Sequence, residues 1–241
     1  MEININCDLG EKSKHHSNKH DPDLLEIVNS ANIACGFHAG DVETMHQVVQ
    51  ISKKNGVSIG AHPSFKDPEN FGREKMNLPS SEIKKLIFDQ YDILQKISVK
   101  YGRNVTHIKP HGALNNMAFE GFNLSKAIVR GFKAIDKKLI LLAPTNSDLI
   151  KAGDYYGIAC VEEGFADRAY MSDGNLSSRG LEGSLITDVQ KAVQQAIDIA
   201  NGEKIATLDG KKIHVPAKSI CIHGDKQEAL NQAKTIKQGL I

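Results

Sequence analysis

Apolar and polar positions along the chain follow two alternating periods. Short apolar runs read as strands at Ile3 to Cys7, Ala31 to Cys35, Val57 to Gly60, Val105 to Lys109, Leu139 to Ala143, Gly157 to Val161 and Ser219 to Ile222. Longer segments between them carry the helical period. Asp41 to Lys54 sets Val42, Met45, Val48 and Val49 on one face and closes on Lys53, Lys54 and Gly56, a usual helix ending. Ser80 to Tyr101 spaces Ile83, Leu86, Ile87, Leu94 and Ile97 the same way and stops at Gly102. Leu185 to Asn201 does so with Ile186, Val189, Val193, Ile197 and Ala200.

Strands that alternate with helices pair in parallel, because each crossover returns the chain to the same end of the sheet. Lys204 to Val215, with Asp209-Gly210 at its middle, reads as an inserted β-hairpin. No low-complexity linker or repeat divides residues 1–241. The expectation is one α/β domain, a single (β/α) barrel variant with about seven parallel strands. An open doubly wound sheet is the alternative, since periodicity does not encode closure.

Composition narrows the function classes. Thirty Lys and Arg against 29 Asp and Glu leave a net charge of +1, which gives no overall basic footprint for nucleic acid. No apolar run approaches the ~18 residues of a membrane span. The first residues read as a strand rather than a signal peptide, so a cytoplasmic protein is expected. Cys7, Cys35, Cys160 and Cys221 are far apart and in or beside apolar runs, as small buried hydrophobes are.

The candidate chemistry lies where the strands end. Asp8 and Glu11 follow the first strand, His38 and Asp41 the second, and His62 the third. Lys109 and His111 end the fourth, Glu163, Asp167 and Arg168 follow the sixth, and His223 and Asp225 the seventh. In a parallel β/α domain these ends share one face, where loops build the active site. Asp41 and Asp225 also suit helix N-caps, the latter with Glu228 three residues on. His107 and His214 fall inside strands and read as structural, whereas His15, His16 and His20, among Lys and Asn, read as solvent-exposed.

Arginine is scarce, at positions 73, 103, 130, 168 and 179 only. Arg73, Arg168 and Arg179 fall in glycine-rich or acid-rich loops near the rim, where a guanidinium would grip a carboxylate or phosphate, or pair internally with Asp167 or Glu163. An anionic small molecule is the expected ligand. Neither nucleotide-binding glycine fingerprint is present, no His-Glu-x-x-His motif occurs, and spacing assigns no metal.

Asn6-Cys7-Asp8-Leu9-Gly10-Glu11 and the run from Ser30 through Ala34-Cys35-Gly36-Phe37-His38-Ala39-Gly40-Asp41 resemble the LamB/YcsF family. The match continues through Ile59-Gly60-Ala61-His62-Pro63-Ser64, Phe71-Gly72-Arg73 and Lys109-Pro110-His111-Gly112. It ends with Phe165-Ala166-Asp167-Arg168 and Ile220-Cys221-Ile222-His223-Gly224-Asp225. Departures are the Lys- and His-rich stretch Lys12 to His20 and Asn115, where a Tyr is usual. The family is that of prokaryotic 5-oxoprolinase A subunits, with a TIM-type barrel distantly similar to polysaccharide deacetylases. The resemblance therefore implies ATP-dependent opening of 5-oxo-L-proline to L-glutamate, with ATP and its Mg counterion as cofactor and separate B and C subunits as partners.

On that reading the catalytic group is drawn from Asp8, Glu11, His38, His62, Lys109, His111 and Glu163. Asp8, Glu11 or Glu163 with a histidine serves as general base, and Lys109 stabilises charge developing on oxygen. Arg73, Asp167, Arg168, Arg179, His223 and Asp225 are expected to bind substrate. The rivals are a metal-dependent deacetylase-like hydrolase with Asp8, His38, His62 or His111 as ligands, and a non-catalytic protein that only binds 5-oxoproline for its partners.

Overall fold

The computed structural model of the chain describes residues 3–14, 16–178, 180–223 and 227–239, leaving aside the side chains of 223 and 227–229. Its centre is a closed barrel of parallel strands: β1 (Asn4–Leu9), β2 (Ser30–Ala34), β3 (Ser58–His62), β4 (His107–Ile108), β5 (Ile140–Pro144), β6 (Cys160–Phe165) and β9 (Ser219–His223). The seven-stranded parallel expectation holds, and closure excludes the open sheet. The last strand closes the ring, pairing with β1 through Asp8↔His223 and with β6 through Glu163↔Ser219. The hairpin is present as β7 (Lys204–Ala206) and β8 (Lys212–His214), antiparallel and outside the barrel.

Helices α1 (Asp21–Leu24), α2 (Val42–Asn55), α3 (Ser80–Lys100), α4 (Gly112–Phe119), α5 (Phe122–Ile135), α6 (Asp148–Tyr156), α7 (Val189–Ala200) and α8 (Gln227–Gly239) complete the chain. Their apolar stripes, among them Met45, Val48 and Val49 of α2 and Ile83, Ile87 and Leu94 of α3, belong to one buried core with Ile5, Cys7 and Leu9 of β1. Local chemistry sets the ends. Asp41 accepts the Thr44 amide at 2.7 Å to start α2, and Gly56 in the left-handed region ends it. α7 starts at Val189, four residues later than the periodicity suggests. Asp188 caps it there, and Leu185 is held by a β-bridge to Arg168. None of the described helices is long and apolar enough to cross a membrane.

Leu9, Cys7 and Ile5 face outward, so the alternate residues of β1 enter the barrel, and there they are polar. Asn6 donates to Ser219 Oγ at 2.8 Å, Asn32 donates to Asn6 Oδ1 at 2.8 Å, and His107 Nε2 meets Asn32 Oδ1 at 3.0 Å. A hydrogen-bonded network thus fills the lumen beneath the C-terminal strand ends.

Candidate active site

A cleft of about 290 Å³ opens at those strand ends, lined by Asp8, Glu11, His62, Lys109 and His111 at its floor and by Arg73 and Arg168 at its wall. Lys109, 4% exposed, stands directly after the two-residue strand β4 and points its ammonium at three strands. It lies 2.9 Å from Asp8 Oδ1, 2.8 Å from Glu163 Oε1 and 3.2 Å from Cys221 Sγ. Burial alone would lower its pKa, but the carboxylates of Asp8 and Glu163 outweigh burial and hold it well above the usual lysine value. A fixed ammonium between two carboxylates is the result.

Around Glu11 gather three imidazoles. Its Oε1 lies 3.1 Å from His38 Nε2, 3.3 Å from His111 Nδ1 and 3.7 Å from His62 Nε2. The far nitrogens of two rings are committed elsewhere. His62 Nδ1 reaches the Lys109 carbonyl at 2.7 Å, and His111 Nε2 the Phe71 carbonyl at 3.0 Å. A carbonyl only accepts, so these contacts put hydrogens on His62 Nδ1 and His111 Nε2. Phe71 holds its carbonyl there through a turn in which both it (φ 57°) and Gly72 (φ 67°) are left-handed. A Cβ on Gly72 would come within 2.1 Å of Ser64 Oγ.

Burial, reinforced by neighbouring imidazoles, keeps His38 and His111 well below the usual histidine pKa. His62 feels the same burial, but Asp8, 3.3 Å from its Nε2, prevails and raises it. Behind the cleft, burial and then Lys109 push His107 down to about 4, leaving it a neutral support.

Of the residues singled out from sequence, the structure brings Asp8, Glu11, His62, Lys109, His111, Arg73 and Arg168 to one cleft. His38 is fully buried behind Glu11. Glu163 differs from expectation: it lies within β6 rather than in a loop, is fully buried and is reached by Lys109. Arg168 donates to the Ser177 carbonyl at 2.7 Å, and Asp167 is half-buried outside the cleft lining. The backbone of His223 is level with Asp8, whereas Arg179 and Asp225 lie outside the described residues. Asp41 is an exposed helix cap.

His16 is also corrected: instead of facing solvent it is half-buried, stacks on Phe71 at 4.1 Å and lines the cleft. Asp21 was not anticipated. It accepts the Gly10 amide at 2.7 Å and lines the same cleft, and burial raises its pKa to about 7 despite that bond. Asn32 was missed as well, although it donates to Asp8 Oδ1 at 2.8 Å and so helps aim that carboxylate. Its only sequence signal is an uncharged polar residue within the apolar run Ala31 to Cys35.

A model of the LamB/YcsF family matches residues 3–241. One of the 5-oxoprolinase A subunits of Bradyrhizobium diazoefficiens is 41% identical over 239 residues, covering 99% of this chain and 93% of that relative. The 5-oxoprolinase A subunit of Erwinia tasmaniensis is 42% identical over 238 residues, with 99% and 95% covered. The lactam utilization protein of Thermus thermophilus superposes with a TM-score of 0.93 at 33% identity, covering 100% of this chain and 96% of that one.

Proposed function

The chain belongs to the LamB/YcsF family, and from that premise we propose that it is the A subunit of an ATP-dependent 5-oxoprolinase. It opens 5-oxo-L-proline to L-glutamate in the cytoplasm, together with B and C subunits. The observation that carries this reading is Lys109, fixed between Asp8 and Glu163 at the floor of a cleft walled by Arg73 and Arg168.

A five-membered lactam is a poor electrophile and needs activation. Transfer of the ATP γ-phosphoryl group to the lactam oxygen makes the carbonyl carbon susceptible to water. Cleavage of the ring C–N bond, with a proton delivered to nitrogen, leaves an acyl phosphate that a second water hydrolyses. One ATP and two waters give glutamate, ADP and phosphate. Asp8 or Glu11, each beside His62, accepts a proton from water, and Lys109 stabilises negative charge growing on oxygen. Glu163 holds Lys109 in place. Arg73 and Arg168 grip the substrate carboxylate or a phosphate. Asp167, Arg179, His223 and Asp225 complete the substrate-binding group in this proposal.

The test combines the purified chain with its B and C subunits, ATP, Mg²⁺ and 5-oxo-L-proline. Glutamate and ADP should appear together, and Lys109→Met should lower kcat by about 10²-fold or more. Arg73→Ala, at an exposed position, should raise KM while the protein stays folded. Glutamate release without ATP, or full turnover by Lys109→Met, would refute the proposal. Normal 5-oxoproline binding with no turnover in the complete complex would identify a substrate-binding protein instead.

A further inference from the structure

His62 Nε2 and His111 Nδ1 face each other at 2.9 Å. In the neutral rings, whose hydrogens go to the Lys109 and Phe71 carbonyls, both facing nitrogens present lone pairs, and both also face the Glu11 carboxylate. Three acceptors pointing at one spot need a cation between them. A proton is too small a remedy. Placed on His62 Nε2, it serves His111 or a carboxylate, and with His38 donating to Glu11 it still leaves the His111 Nδ1 and Glu11 Oε1 lone pairs abutting at 3.3 Å with nothing between them.

A metal ion satisfies all three. Ligands about 2.0–2.1 Å from a tetrahedral centre stand about 3.3 Å from one another. The three edges here are 2.9, 3.3 and 3.7 Å. We propose that Glu11, His62 and His111 form a binding site for a divalent transition metal of the zinc class.

The surroundings match what a metal requires. Each histidine ligand gives its other N–H to a backbone carbonyl, the arrangement that fixes ring orientation in metal sites. His38 lies within the same cluster, its ligating nitrogen within 4.8 Å of the others. Its Nδ1, however, is buried with no partner among the described residues. As a ligand through Nε2 it would have to carry a hydrogen on that orphaned nitrogen. As a donor from Nε2 to Glu11 it leaves there only an unused lone pair, so His38 is assigned to position Glu11. Two imidazoles and a carboxylate suit zinc, cobalt or nickel better than magnesium or calcium, which prefer oxygen. Because Glu11, His62 and His111 all line the cleft, the fourth position opens toward substrate, as in catalytic rather than structural sites. When bound, such an ion acidifies water and polarises carbonyl oxygen.

Metal binding is read in the isolated full-length chain, so it is independent of the reaction proposed above. Chain stripped with a chelator and titrated with Co²⁺ should bind one equivalent, with the visible absorption of a four-coordinate nitrogen–oxygen site. Zn²⁺ should displace it and raise the melting temperature. Glu11→Gln and His111→Gln should each weaken binding by roughly 10-fold or more. His214→Gln, on the exposed hairpin, should bind like the unaltered chain. Circular dichroism and melting of each variant separate lost ligands from lost folding, and imidazole ¹⁵N shifts of the unaltered chain should report both tautomers directly. No stoichiometric Co²⁺ uptake by the unaltered chain would overturn the site in favour of a protonated cluster. Binding that persists unweakened in folded Glu11→Gln and His111→Gln would overturn the ligand assignment.

Discussion

The Asp21 carboxyl group is held between a backbone amide that favours its charge and a buried setting that opposes it. Burial wins, and the pKa rises to about 7 from the usual 3.8. Because the folded value exceeds the unfolded one, the stability from this group is complete below about pH 4 and lost as pH rises to about 7. Asp21→Asn stays neutral and can still accept the Gly10 amide. In metal-free protein the variant should therefore gain on the parent by up to about 4 kcal/mol between pH 4 and pH 8. Denaturant unfolding across that range measures it, and parallel pH profiles would count against the burial argument. Neither Asp21 nor His16 was legible as a site residue in the sequence. Both reach the cleft through the fold-back of the polar segment after Glu11, and no periodic pattern records that path. Asp8, His62, Lys109 and His111 were legible because strand ends in this fold must share a face.

Strand β6 shows why element boundaries carry functional meaning. Glu162-Glu163-Gly164 looks like the start of a loop, since charged residues rarely enter a core. The strand nevertheless runs to Phe165, because Lys109 from the end of β4 supplies the compensating charge to Glu163 across the lumen. A pairing between elements so far apart in sequence has no local signature. Strands β3 and β4 show a related dependence. A Cβ on Gly60 would lie 2.1 Å from His107 Nε2, so the absence of a side chain on β3 makes room for the ring. Gly60→Ala should displace His107 from Asn32 and loosen the support beneath Asp8. Overpacking of this kind costs roughly 1–3 kcal/mol, about 2–12 °C in melting temperature at this chain length. Calorimetry should show that loss together with reduced turnover, and an unchanged Tm would mean that His107 moves aside freely.

At the scale of the whole molecule the barrel depends on its closing strand. β9 is the shared neighbour of β1 and β6, and Ser219 within it ties Asn4 and Asn6 by hydrogen bonds of 2.9 and 2.8 Å. Deleting residues 219–241 should expose both neighbouring strands as edges and remove the packing of α8 against α7. The shortened chain should lose its cooperative melt and bind hydrophobic dyes, whereas a retained sharp transition would show that the other six strands are self-sufficient. The sequence made the strand count and parallel sense readable through apolar spacing. It concealed the polar lumen, since Asn6 and Asn32 become interior only when the ring is shut.

That closure also sets an order of events during synthesis. Asn6 must wait for Ser219, 213 positions later, before its Nδ2 has the acceptor it holds in the folded barrel. At translation speeds of about 5–20 residues per second the delay is roughly 10–40 s. Throughout that interval the nascent barrel has an open seam, and the strand bearing Asp8, the earliest to emerge, waits the longest for its second neighbour.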